Sequence, residues 1–503
     1  MNRCVVALLC VSLFPWDCLA EEIKSQTVKK NQNEEVVMQN ASNAKHDDAK
    51  KLNQHPDAQW FKTAGMGLFM HFGLSSVKGG ELSWSMYKDY ADGAGPSLWP
   101  PDSYYGLAQQ FNPQNYDANI IMAAAARAGF KYAVLTVRHH DGYALWPSDY
   151  GDFSTKQYIG GRDLLRPYVE ACRKYGIKVG FYYSPTDWHY NPAGWPWRGF
   201  PLADKNFEYT PWLHKEHPHF ADMPQAELQG YMDQFYAYVK GQVDELLSRY
   251  GKIDLLWWDG YDWPGTVDIH SKDMVTFVYS LQPGIVLNPR YGLWSMGWGS
   301  SGGDFSTFEG VFPTQKPANL WEYNGNLRGH WAYTNESYKS SIYGASTAFV
   351  LKELVTARSW GGNYLPNVGP APDGTMPQYY YNLCGELASW MEHSRESIYD
   401  VTSGPWPEKS TVPVTIRGDV WYLHAPRQKE DDLWANEWYS CPSQAQYVPR
   451  SKTAEVNDVN VPASVTLLRT AETLDYTYAN RKLTVIIPAA KTTKDVDVIK
   501  VRW

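Results

Sequence analysis

Between Trp60 and Gly369, short apolar runs alternate with longer stretches in which apolar positions recur every three to four residues, the pattern of βα units around a parallel sheet. Eight runs read as buried strands: residues 67–70, 132–136, 178–183, 253–258, 284–287, 304–308, 320–323 and 362–366. Two of the intervening helices are well marked. One has Asp163 as its cap, Pro167 in its first turn, an apolar stripe of Leu164, Leu165, Tyr168, Val169, Cys172 and Tyr175, and Gly176 as its stop. The other covers residues 232–250, with Phe235, Tyr238, Val239, Val243, Leu246, Leu247 and Tyr250 at helical spacing ahead of Gly251. Repeated strand–helix units predict an α/β fold, a (β/α)8 TIM-like barrel over residues 56–398 whose chemistry gathers at the C-terminal ends of its strands. From residue 399 the texture changes to short alternating segments at 414–425, 482–490 and 495–503, which predict a small antiparallel β-sandwich over residues 399–503. The tripeptide Arg417-Gly418-Asp419 lies between two such runs, where a turn is expected.

Ahead of the barrel the pattern is of another kind. Residues 1–20 place Arg3 before an apolar stretch from Cys4 to Phe14 and end on Ala20, the layout of an export signal. Residues 21–55 are mostly Lys, Gln, Asn, Glu and Asp, and read as a disordered leader. The expected compartment is therefore the periplasm or the medium, or the lysosome in a eukaryotic host. No run reaches the roughly 20 apolar residues of a membrane span, so no membrane insertion is expected. Once the signal is removed, Cys172, Cys384 and Cys441 remain, an odd set that does not suggest a disulfide framework. A net charge of -8 without a Lys/Arg cluster argues against nucleic acid as a partner. Aromatic residues make up 15% of the chain, and aromatic faces over polar ledges suit sugar rings. Nothing in the pattern bears on oligomeric state.

The stretch VLTVRHHDG, residues 134–142, ends a buried strand abruptly in Arg138, His139, His140, Asp141 and Gly142. The other strand ends carry His71, Tyr182 and Tyr183, Asp259, Arg290, Glu309, Glu322 and Asn367. Their convergence at one rim is what raises them above ordinary buried polar groups. Two carboxylates on such a rim, flanked by His, Tyr, Arg and Trp, fit glycoside hydrolysis, in which one attacks the anomeric carbon and the other protonates the leaving oxygen.

Five ordered segments over roughly residues 57–400 resemble the glycoside hydrolase family of α-L-fucosidases: WFKTAGMGLFMHFGLSSV, YAVLTVRHHDGYALWPSDYGDFS, GRDLLRPYVEACRKYGIKVGFYYSPTDW, LLWWDG and GGNYLPNVGPAPDGTMP. The resemblance implies a retaining double displacement on a terminal α-L-fucosyl group. By position, Asp259 in WWDG matches the nucleophile and Glu309 in FSTFEG the acid/base, with Glu322 in LWEYN as its rival, since spacing alone does not separate two rim carboxylates. His71, His139, His140, Tyr182 and Arg290 carry over as sugar contacts, and Trp84 and Trp331 as aromatic walls facing the apolar edge that includes the fucose methyl.

The family's histidines bind no metal, and this chain offers no third ligand at convincing spacing, so neither a metal nor a cofactor is expected. A metal-dependent hydrolase built on His139, His140 and Asp259 is the alternative reading, together with a non-catalytic carbohydrate-binding protein. One departure bears on the sugar. Many members place Glu-Trp in the loop after the first strand; here Ser83-Trp84 occupies it, with Glu81 two residues earlier. An α-L-galactosyl group, which differs from α-L-fucosyl by a 6-hydroxyl, is the nearest alternative substrate.

Overall fold

The computed structural model describes residues 52–86, 101–190, 224–260, 268–291, 303–327, 330–334, 346–427 and 448–503. Eight parallel strands form one sheet: β1 Gly67–Met70, β2 Tyr132–Arg138, β3 Lys178–Tyr183, β4 Leu255–Trp258, β5 Val286–Leu287, β6 Ser306–Glu309, β7 Trp321–Asn326 and β8 Asn363–Val368. Their order is β5-β4-β3-β2-β1-β8-β7-β6, that of a (β/α)8 barrel opened between β5 and β6. Asp304 bridges that seam. Its backbone N–H donates to Leu287 O at 2.7 Å, and its Oδ2 accepts from Leu287 N at 2.8 Å. Around the strands lie α1 Ala118–Ala128, α2 Leu165–Lys174, α3 Gln225–Arg249, α4 Ser271–Leu281, α5 Thr347–Ser359 and α6 Gln378–Ser394. The cap expected at α2 is present, since Asp163 Oδ1 accepts from the N–H groups of Leu165 and Arg166 at 2.9 and 3.1 Å.

Both faces of each strand are buried, which is why the strands read as nearly continuous apolar runs. Along β2, Tyr132 and Val134 point inward to a cluster with Phe69, Tyr182, Leu255, Trp257 and Leu365. Ala133, Leu135 and Val137 point outward to the helices. The alternation is interrupted once. Thr136 pairs with Tyr182 and Arg138 with Tyr183, so β2 carries an extra residue at Val137, a β-bulge. Val137 and Arg138 therefore both face the helix layer, and His139 is turned inward.

The N-terminal expectations fall largely outside the described residues. Residues 1–51 are not described, whereas Leu52 is buried and Asn53 N donates to Asp304 Oδ1 at 2.9 Å, so the packed barrel reaches back past residue 56. Cys172 and Cys384 are free and buried; Cys441 is not among the described residues. No described helix is long and apolar enough to cross a membrane.

The C-terminal strands form two antiparallel sheets. β9 Thr402–Ser403, β10 Val414–Arg417, β11 Val420–Ala425, β13 Ser464–Leu467 and β16 Asp497–Arg502 make one, while β12 Lys452–Val456, β14 Tyr476–Ala479 and β15 Lys482–Ile487 make the other. Val414, Leu423, Ala454, Leu483, Val485 and Ile499 from both sheets share one core. Arg417 pairs with Val420 across the two-residue turn Gly418-Asp419, and Gly418 has φ +60°, so this tripeptide is hairpin chemistry.

Candidate active site

The C-terminal ends of β1 to β6 bring together most of the polar residues singled out in the sequence. Asp259 follows β4 directly. Its N–H donates to Tyr183 O at 3.1 Å, while Asn288 holds the preceding residue by accepting from Trp258 N at 2.7 Å and donating to Trp258 O at 2.9 Å. The backbone under the carboxylate is thus fixed on both sides.

Three groups face that carboxylate. Tyr182 donates its hydroxyl to Oδ2 at 2.5 Å, His140 Nε2 lies 3.6 Å from Oδ2, and Arg290 Nη2 lies 3.2 Å from Oδ1. Arg290 also donates from Nη1 to Glu309 Oε2 at 2.9 Å, so one guanidinium joins two carboxylates. It lies over the Trp257 ring, 4.9 Å from the centroid. Burial pushes Asp259 up to about 6, reinforced by Glu309 and opposed by Arg290 and Tyr182. The Asp259 side chain is 13% exposed, whereas that of Glu309 is 36% exposed and open to solvent.

Glu322 is elsewhere. Strand β7 runs on to Asn326, so Glu322 sits inside the strand and not at its end. It points into the barrel at the level of Thr307 and Asn363, fully buried. Tyr132 donates to its Oε2 at 2.5 Å and Trp257 Nε1 to its Oε1 at 3.0 Å. Burial pushes it up to about 7. The expected rim position is therefore corrected: Glu322 lies beneath the rim, under Trp257.

The histidines are buried, and desolvation lowers all three below the usual imidazole range, His71 to about 3, so they are neutral near pH 7. His71 Nδ1 faces Asn367 Oδ1 at 2.7 Å. The Asn367 amide donates to Asn326 Oδ1 and Trp331 O, so Oδ1 is the acceptor and Nδ1 of His71 carries the proton. His140 Nδ1 lies 2.7 Å from Ser184 Oγ, whose hydrogen goes to Thr186 O at 2.9 Å, so this Nδ1 also donates. Both rings are left with Nε2 as an acceptor. His139 Nδ1 is 2.9 Å from Ser83 Oγ, and its ring stacks on Tyr182 with an interplanar angle of 5°.

Ser83 is fully buried against His139. Its hydroxyl, which stands where many members have a glutamate, is engaged with that ring. Trp84 is edge-on to His140 at 5.4 Å, and Trp331 lies 5.0 Å from the His71 ring. Trp188, which the sequence reading passed over, packs 5.3 Å from His140 and donates its backbone N–H to His140 O. Its position five residues past a strand end, in YYSPTDW, was the available signal.

The remaining polar residues of the VRHHDG stretch are scaffold. Arg138 is fully buried in the helix layer, donating to Asp187 at 3.0 Å, Gln242 at 2.7 Å and the Tyr238 hydroxyl at 3.0 Å. Asp141 accepts from the Tyr104 hydroxyl at 2.6 Å and closes its own turn through Tyr143 N. Gly142 has φ +82°, and a Cβ there would meet Asp187 Oδ1 at 2.1 Å, so only glycine fits.

His139, His140 and Asp259 do converge, each offering a ligand atom within 4.8 Å of the others. Three ligands meet the minimum for a catalytic zinc. The fit is poor electrostatically, because the Arg290 guanidinium already lies 3.2 Å from the shared carboxylate. At an effective dielectric of about 20, each unit of charge placed ~5 Å from that cation costs about 3 kcal/mol.

The family model for α-L-fucosidase matches residues 32–396. A tissue α-L-fucosidase from Bos taurus is 30% identical over 410 residues, covering 75% of this chain and 76% of its own. The structure of α-L-fucosidase isoenzyme 1 from Paenibacillus thiaminolyticus superimposes with a TM-score of 0.70 at 27% identity, over 89% of this chain and 98% of that one. An α-L-fucosidase from Bacteroides thetaiotaomicron, solved as a covalent intermediate trapped with 2-fluoro-fucosyl fluoride, gives a TM-score of 0.68 at 22% identity, over 91% and 98% of the two chains. With the family's match running through β1 to β8 and every rim residue described above, this chain belongs to the α-L-fucosidase family of glycoside hydrolases.

Proposed function

We propose that the protein is a retaining exo-α-L-fucosidase in which Asp259 is the nucleophile and Glu309 the general acid/base. The observation that carries the reading is the bridge through Arg290, which joins a buried carboxylate to a solvent-facing one at the same rim, 3.2 and 2.9 Å away. Retention needs this asymmetry. The nucleophile has to be desolvated and aimed, while the acid/base has to reach both the leaving oxygen and an incoming water. Tyr182 and Arg290 hold the Asp259 oxygens for attack on the anomeric carbon, forming a glycosyl ester as Glu309 gives its proton to the departing oxygen. Glu309 then takes a proton from water, which attacks the same carbon and restores Asp259. The trapped intermediate of the Bacteroides thetaiotaomicron relative supports this course.

The sugar contacts follow from the histidine tautomers. Nε2 of His71 and of His140 are acceptors for hydroxyl donors, and His140 Nε2 and Asp259 Oδ2, both acceptors 3.6 Å apart, are suited to sharing one sugar hydroxyl. Trp84 and Trp331 provide the apolar walls. Substrates are fucosylated glycans, and export by residues 1–20 brings the enzyme to them. Proton NMR of the first product released from an aryl α-L-fucoside tests the whole reading. The α-anomer is expected first; β-fucose first, or no hydrolysis, rejects it.

A further inference from the structure

One buried carboxylate ties the loop after β1 to the loop after β7. Glu81, 5% exposed, accepts from Trp331 N at Oε1, 2.7 Å, and from Ala332 N at Oε2, 3.2 Å. His330 Nδ1 lies 3.7 Å from Oε2. The carbonyl side of this segment is held by Asn367, whose Nδ2 donates to Trp331 O at 2.7 Å and His330 O at 3.4 Å. The same Asn367 orients His71 through its Oδ1. Residues 330–334 have no helix or strand to satisfy their backbone groups, so these side chains supply the partners. The segment is also confined sterically, since a Cβ on Gly369 would lie 2.2 Å from Tyr333 N. Held in this way, the Trp331 ring stands 5.0 Å from that of His71 and 6.1 Å from that of Phe69.

We infer that Glu81 is a positioning residue for the sugar: by holding the amides of Trp331 and Ala332 it sets the Trp331 indole as the wall beside His71. This rests on reading the rim as the fucosyl site. Both Glu81 oxygens are engaged by the loop, so its effect on the substrate passes through Trp331. Two backbone amides bonded to one buried carboxyl hold a short irregular segment more firmly than water would, which is what a wall of fixed distance requires. Burial pushes the Glu81 carboxyl up to about 8, opposed by the two amide bonds; glutamine keeps the shape but has one acceptor oxygen, so it can hold only one of the two amides.

The test is a double-mutant cycle read as kcat and KM on an aryl α-L-fucoside. Glu81→Ala is expected to raise KM about tenfold with kcat within about threefold of the parent, because a wall touches the fucosyl group alike in ground and transition states. Trp331→Ala should do the same. The double variant should be no worse than Trp331→Ala alone, since a ring already removed cannot be misplaced. Glu81→Gln, with one acceptor oxygen in place of two, should recover only part of the loss. If Glu81→Ala does not fold, Glu81→Asp takes its place in the cycle. It keeps the carboxyl but is one methylene too short to reach both amides, and its rise in KM should vanish in the Trp331→Ala background. Additive losses, or a parental KM in Glu81→Ala, overturn the inference. An inactive parent removes the fucosidase reading itself, whereas an active parent with additive losses removes the role of Glu81 alone.

Discussion

The hydroxyl of Tyr182 points at Oδ2 of Asp259 across 2.5 Å, and the two residues come from neighbouring strands whose register fixes that approach. Tyr182 pairs with Trp257 and Tyr183 with Trp258, so Asp259 emerges two residues beyond the register partner of the tyrosine that supports it. The ring is itself held between Trp257 and His139, stacked on both at 5.6 Å. The tyrosine expected from the sequence to touch the sugar therefore has its hydroxyl committed to the nucleophile.

Removing that hydroxyl is expected to slow the chemistry more than it weakens binding. Hydrogen bonds to charged groups are worth about 1.5–3 kcal/mol, so Tyr182→Phe should reduce kcat by roughly 10- to 150-fold with little change in KM. The lost donor also favours protonated Asp259, so the acid limb of the pH profile should move to higher pH. A parental kcat and profile would show that the contact is incidental.

Leaving-group chemistry separates the carboxylates. Asp259→Ala should abolish turnover with every leaving group. Glu309→Ala should keep much of its first step on an aryl fucoside with an acidic phenol and fail on a sugar aglycone, because only the second needs a proton. Added azide should then give an α-fucosyl azide of retained configuration. Glu322→Ala should lose stability, since it leaves Tyr132 and Trp257 without their buried acceptor, and show no leaving-group dependence. The opposite result for the two glutamates would move the acid/base to Glu322.

The raised Asp259 sets a pH window. The nucleophile must be ionised, so kcat/KM should fall as pH drops through about 6. The stability consequence has the other sign. Between the ordinary value of 3.8 and about 6 the unfolded chain gives up this proton while the folded one keeps it, so stability declines as pH rises through the window. The cost is absent below it and full above it. Asp259→Asn should therefore be inactive yet melt at a higher temperature than the parent above about pH 7, a difference that shrinks as pH falls toward 4. A lower melting temperature across the range would contradict the raised value.

Chelation tests the histidine pair. With Arg290 beside Asp259, hydrolysis of an aryl α-L-fucoside should be unchanged after exhaustive treatment with a chelator. His139→Ala should lower kcat/KM through lost hydroxyl contacts, with no response to added zinc. A large loss on chelation that a divalent ion restores would assign His139, His140 and Asp259 to a metal.

What the sequence determined was set by periodicity and strand-end chemistry. The apolar runs placed all of β1 to β8 to within a few residues, because a strand buried on both faces has to be apolar throughout. They also put Asp259, Arg290, Glu309, His71, His139 and His140 at one rim. What tertiary structure alone decided was depth and direction. Glu309 and Glu322 both follow apolar runs in the chain, yet β7 runs four residues beyond Glu322, which leaves it under Trp257 with both oxygens engaged. Glu81 and Ser83 are two residues apart, and only packing shows that one holds the Trp331 loop and the other His139. The stretch VRHHDG turns on the bulge at Val137. Strict alternation from Thr136 would have sent Arg138 into the barrel and His139 out to the helices. One extra residue opposite β3 reverses them, so that the guanidinium packs on Tyr183 in the helix layer and the imidazole enters the site. A bulge is a property of two strands in register, and a single strand's sequence does not contain it.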